Sequence, residues 1–189
     1  MKISTATAAA ALSLAVVLCG CETATPYQPL QPGSAVSGGF TDQRLDANHF
    51  RVTFAGNTLT TRATVETYLL YRAAQLTVAQ GYDWFEPVYR HTERTQSTYL
   101  DSFYGPGYPW GYWRPSWRYY RGGFGWQAWG PNWGDPFWAD TVNVQTVQKF
   151  EASAEIAMSH GPKPASDPRA LDARAVLDNL GPKIQRPKS

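Results

Sequence analysis

HFRVTFAGN (His49–Asn57), followed after two residues by TTRATVETYLLYRAAQLTVAQG (Thr60–Gly81), is the stretch on which the fold turns. In its first part Phe50, Val52 and Phe54 share one parity, and the run ends in Gly56-Asn57. That alternation describes a half-buried strand closed by a turn. In the second part Val65, Leu69, Ala73 and Leu76 recur at spacings of four, four and three. This is the helical period, so residues 62–80 should form an amphipathic helix, capped by Thr60-Thr61 and closed by Gly81.

Working outward, Tyr82–Arg94 (YDWFEPVYRHTER) is rich in aromatic residues and predicts a second strand, with Pro87 marking an edge or a bulge. Thr141–Met158 predicts a third. Val142, Val144, Phe150, Ala152, Ala154, Ile156 and Met158 share a parity that Val147 breaks, which places a bulge or division near 146–149. Asp167-Pro168 and Gly181-Pro182 bracket a short helix with an apolar stripe of Leu171, Val176, Leu177 and Leu180. The order β-α-β, insertion, β, α predicts an α+β domain. A small mixed sheet, with a parallel crossover through the first helix and an antiparallel return, should carry its helices on one face. The domain should comprise residues 40–98 and 139–182, with 183–189 as a tail.

The insertion, residues 99–138, has an unusual composition. Of its forty residues sixteen are aromatic, eight are Gly and five are Pro, and Leu100 is its only large aliphatic side chain. Seven of the protein's eight tryptophans lie in it: Trp110, Trp113, Trp117, Trp126, Trp129, Trp133 and Trp138. Gly and Pro interrupt both structural periods, so the tract reads as a long low-complexity loop separate from the core. Exposed aromatic faces suit three kinds of contact. They stack on sugar C–H surfaces of peptidoglycan or another glycan. They favour the headgroup zone of a bilayer. Beside Arg114, Arg118 and Arg121 they also support stacking and cation–π contacts, among themselves or with an envelope protein. These tryptophans are therefore the candidate interaction residues.

The N-terminus reads as an address. Met1-Lys2 is followed by an uncharged Ile3–Val17 rich in Ala, Leu and Val, the length of a secretory apolar segment and short for a membrane span. It runs into Leu18-Cys19-Gly20-Cys21, which resembles a bacterial lipobox. The resemblance implies a signal peptide over residues 1–20, cleavage before Cys21, diacylation of its sulfur and acylation, for instance by palmitate, of the new amino group. Cys19 leaves with the leader, so the processed chain keeps no free thiol for redox or nucleophilic chemistry. Glu22 after the anchor, in place of the retention-favouring Asp, favours the outer membrane over the inner. Residues 21–39 hold three Pro and three Gly among Ser and Thr, and predict a lipidated flexible tether.

Across the 189 residues, 17 Lys and Arg stand against 15 Asp and Glu, too even a balance for a nucleic-acid binder. His49, His91 and His160 show no metal-ligand spacing, and neither a G-x-S-x-G elbow nor a phosphate loop is present, so no cofactor, metal or catalytic set is expected. The enzyme alternative is a hydrolase of envelope polymers. It would use two of Glu86, Glu93, Glu151 and Glu155, which the topology puts on neighbouring strands, as a carboxylate pair.

Several segments resemble a family of small alphaproteobacterial lipoproteins. They are the lipobox, Thr25-Pro26-Tyr27-Gln28-Pro29, Phe50–Asn57, Leu69-Leu70-Tyr71-Arg72-Ala73-Ala74, Gly81-Tyr82-Asp83-Trp84-Phe85, Ala154-Glu155-Ile156-Ala157-Met158 and Gly161-Pro162-Lys163-Pro164. The likeness covers most of the processed chain except the aromatic tract. It implies a lipid anchor at Cys21 and an envelope location facing the periplasm, and it supplies no catalytic residue. The expectation is a non-catalytic envelope lipoprotein that touches glycan, membrane or protein through its aromatic insertion.

Overall fold

A computed structural model describes residues 23–88, 113, 115–129 and 147–187. The expected signal peptide and Cys21 lie outside these residues. Strand β1 (Gly39–Arg44) leads into β2 (His49–Ala55), where Phe50, Val52 and Phe54 are buried and the alternate positions are half-exposed. Helix α1 (Arg62–Ala79) starts at Thr61, whose hydroxyl accepts from the Thr64 N–H at 3.1 Å. It ends in a Schellman arrangement: Gly81 (φ +86°) and Tyr82 return their N–H groups to Val78 and Thr77. Both ends are where the sequence puts them, because local capping chemistry sets them. The chain continues through β3 (Trp84–Pro87), β4 (Ser116–Arg121), β5 (Gly125–Trp129), β6 (Val147–Ser159), β7 (Leu171–Asp172) and α2 (Ala173–Leu180), then a single 3-10 turn, Gly181–Lys183.

The protein is α+β, with one sheet and both helices packed on one of its faces. The strand order is β1-β2-β6-β3-β7, and every pair of these strands is antiparallel. Because β2 and β3 both run opposite to β6, they run parallel to each other. The α1 crossover therefore joins parallel strands as expected, with β6 lying between them. Across the β2–β6 register Phe54 opposes Ala152 and Val52 opposes Ala154, large against small, while Phe50 opposes Ile156. Val65, Leu69, Leu70, Ala73 and Ala74 of α1 join these residues in one buried cluster with Met158, Phe85 and Val176. Each such large side chain contributes about 1.5–3 kcal/mol by leaving water.

The named strands pair antiparallel throughout, so the expected mixed sheet is an antiparallel one, and four further features depart from the sequence reading. First, the aromatic tract is not outside the domain. Strand β4 lies alongside the first half of β6 while β3 occupies the second half, and β5 pairs with β4. The bulge expected at 146–149 falls there, where Tyr120 opposes Lys149 but Arg121 opposes Val147, leaving Gln148 extra.

Second, the supposed flexible tether is a packed arm from Thr23 onward. Thr25 and Tyr27 are buried. The Thr25 N–H donates to the Thr60 hydroxyl at 2.8 Å, and the Tyr27 N–H to the Gln185 carbonyl at 2.7 Å. Prolines and glycines shape this arm without loosening it. Gly38, for example, sits at φ +100°, and a Cβ there would lie 2.4 Å from the Ala55 carbonyl oxygen.

Third, the last helix begins at Asp172, whose carboxylate caps the Ala175 N–H at 2.8 Å, and not at Asp167-Pro168. Asp167 closes a turn with Arg169 instead, and Gly181 remains right-handed at φ −47°. Fourth, the tail through Arg186 is docked: Gln185 N–H reaches the Tyr68 hydroxyl at 3.1 Å, and Ile184 packs on the core.

Candidate interaction surface

The helix-free face of the sheet carries the alternate residues of each strand. The sequence WRYYR (Trp117–Arg121) has the two-residue period that its rings conceal from an apolar count. Trp117 and Tyr119 turn inward and are buried, while Arg118 turns outward. Trp113 is also fully buried, its ring edge-on to Phe85 at 6.0 Å. Trp113 and Trp117 are therefore core residues, which corrects their reading as contact residues. Aromatic bulk takes the place that aliphatic residues fill elsewhere. Trp129 stands opposite Trp117 in the register. Trp110, Trp133 and Trp138 lie outside the described residues, as do Arg114, His91 and Glu93.

Trp126 does carry an exposed ring. It is 41% exposed, opposes Tyr120 and meets that ring edge-on at 5.7 Å. The Arg118 guanidinium sits 4.9 Å from the Trp126 ring centre and 3.0 Å from a carboxylate oxygen of Glu151. At the turn, Gly123 and Gly125 take positive φ and push out Phe124, which is 71% exposed, with the Arg121 guanidinium 5.1 Å from its ring centre. The cation–π contacts expected of Arg118 and Arg121 are thus made within the hairpin itself. Phe124 escaped the sequence reading because a glycine-flanked Phe looked like one ring among sixteen.

The acidic residues of this face each meet a guanidinium: Glu151 with Arg118, Glu155 with Arg51, and Glu86 with Arg169 at 3.2 Å. The register separates Glu86 from Glu151. The first opposes Ala157 and the second Ala55 and Arg118, six residues apart along β6, or about 20 Å. That pair is well outside the ~5–9.5 Å of paired glycosidase carboxylates, whereas Glu86 and Glu155 stand diagonally across the β3–β6 register, about 7–8 Å apart, each taken up by its own arginine. His49 bonds Asp46 at 2.7 Å, and His160 stacks on Tyr82 at 4.4 Å. Among the described residues no three His, Cys, Asp or Glu side chains gather where they could hold a metal ion, and no helix is long and apolar enough to cross a membrane.

Three surface carboxylates are held below the usual 3.8. Asp83 is lowered by hydrogen bonds from Arg174 and the Gly161 N–H, Asp46 by His49, and Asp167 by Arg169. All three sit in turns and tie loops to the sheet. Burial pushes the Tyr27 hydroxyl above its usual 10.0, against the opposing pull of the Arg72 guanidinium beside it. No family model, no curated protein and no solved structure matches this chain.

Proposed function

We propose that the protein is a non-catalytic lipoprotein of the bacterial cell envelope, acylated at Cys21 and facing the periplasm, in the outer rather than the inner membrane. Its folded module makes contact with an envelope partner through the β4–β5 hairpin. The observation that carries this reading is the hairpin's outer surface. Phe124 and Trp126 are exposed, each lies against a guanidinium, and both are mounted on a sheet whose core uses other rings of the same tract. Exposed rings braced by a rigid scaffold lose little freedom on binding, so their contact area converts efficiently into affinity. The acidic side chains beside them are occupied by arginines, which leaves binding as the face's best-supported use.

Two measurements test it. Cys21→Ser should move the protein from the membrane pellet to the soluble periplasmic fraction, and the native chain should carry acyl mass on Cys21. In the Cys21→Ser background, Phe124→Ala with Trp126→Ala should abolish retention on isolated envelope fractions while leaving the melting curve unchanged. Equal retention of that variant would falsify the hairpin's role.

A further inference from the structure

We propose that the end of the sheet bearing the hairpin tip docks on the bilayer that holds the anchor, with Leu59 and Phe124 entering its interface; this rests on lipidation of Cys21. Thr23 is already fixed in the fold, its carbonyl accepting from the Asn57 side-chain amide at 2.6 Å. Only two Cα–Cα steps separate Thr23 from Cys21, so the anchored residue lies within about 8 Å of it. A lipid attached so close holds one particular end of the module against the membrane.

The sheet register identifies what else is at that end. Ala55, Glu151 and Arg118 form one row across β2, β6 and β4. Strands β2 and β4 both oppose β6, so both leave this row in the same direction. β2 leads to the Asn57–Thr60 corner where the arm is bound. β4 continues for three residues, about 10 Å, to Arg121 and then the turn at Phe124. Among the described residues four large hydrophobic side chains are exposed: Leu30, Leu59, Phe124 and Trp126. Three of them are on this side of the row. Leu59, 51% exposed, is in the corner itself, and its N–H donates to Asn57, the residue that grips Thr23. Tyr120 and Trp126 stand behind Phe124, where a headgroup layer would surround them, and Arg121 and Lys149 add positive charge toward it. Apolar tips, then rings, then cations is the order in which a bilayer interface accepts side chains.

The test uses the full-length protein, exported and purified in its processed form, in phosphatidylethanolamine–phosphatidylglycerol vesicles. Leu59→Cys, Phe124→Cys and, at the opposite end, Ala47→Cys each carry a nitroxide. Intact mass reports acylation of Cys21 separately. With acyl mass present, labels at 59 and 124 should collide severalfold less with a water-soluble nickel relaxant, and more with oxygen, than the label at 47. Equal water access at all three positions overturns the docking while leaving lipidation standing. Absence of acyl mass overturns the lipidation reading, and the docking with it. Immobilisation of a water-exposed label at 124 only on adding purified sacculi also overturns the docking and assigns the tip to glycan. All three positions are exposed in the native chain, so the labels leave the core intact.

Discussion

The Thr25 N–H donates to the Thr60 hydroxyl at 2.8 Å, and the Thr25 hydroxyl in turn accepts from the Asn57 N–H at the same distance. A residue from the arm thus completes the corner between β2 and α1, and the same hydroxyl donates to the Ser37 carbonyl at 2.7 Å. One side-chain oxygen thus serves two backbone groups far apart in sequence.

Thr25→Val keeps the shape and removes that oxygen, so the Asn57 N–H loses its stronger partner and the Ser37 carbonyl its donor. The expected loss is about 1–3 kcal/mol of unfolding free energy. Urea denaturation of the Cys21→Ser chain checks it, and an unchanged midpoint would show the arm to be dispensable.

The aromatic tract should divide sharply by burial. Trp113→Ala opens a cavity beside Phe85 and should cost about 3–5 kcal/mol. Phe124→Ala should stay within about 0.5 kcal/mol of the parent, since its ring is largely in water. Deleting residues 99–138 should abolish cooperative unfolding, because it removes Trp113, Trp117 and Tyr119 together with β4 and β5. Thermal melts followed by near-ultraviolet circular dichroism distinguish these three cases.

Acid should weaken the fold through the lowered carboxylates. A carboxyl held below 3.8 in the folded chain stabilises it above that value, and the contribution is lost as pH falls through the lowered value. Asp83→Asn removes one such group, so its stability should fall less steeply on acidification than the parent's. The comparison is the urea midpoint across an acid buffer series; parallel slopes would remove Asp83 from the account.

Alkali acts on Tyr27 with the opposite sign. Burial raises its folded value above 10.0, so its contribution is whole below 10.0 and drains away as pH climbs toward the raised value. Tyr27→Phe should be less stable at neutral pH by about 0.5–1.5 kcal/mol, having lost the hydrogen bond to Gln75, and flatter in alkali. A phenolate absorbance titration that finds Tyr27 ionising with the exposed tyrosines would contradict this.

The parts of the fold legible in the residues are those decided by neighbours in the chain. Phe50, Val52 and Phe54 mark a strand by their own spacing, and Thr61 and Gly81 bound α1 through hydrogen bonds that reach only a few residues. The bulge near 146–149 also shows, since Val147 breaks a parity that only an extra residue restores. Strand β1 was not legible: GFTDQR has no alternation, because it is a polar edge strand whose order comes from pairing with β2.

For the surface, composition located the aromatic tract, which is a property of the chain read in order. Which rings face water was a matter for β6, contributed thirty residues later, against which β4 aligns and buries Trp117 and Tyr119. The same long-range packing turned the Pro- and Gly-rich arm from a loose linker into part of the fold, through partners at Thr60, Gln75 and Gln185 that no local pattern announces. Local sequence determines hydrogen bonds that close within a turn of helix or a strand's own period. Burial and the direction of an exposed tip depend on which distant strand supplies the other half of the contact.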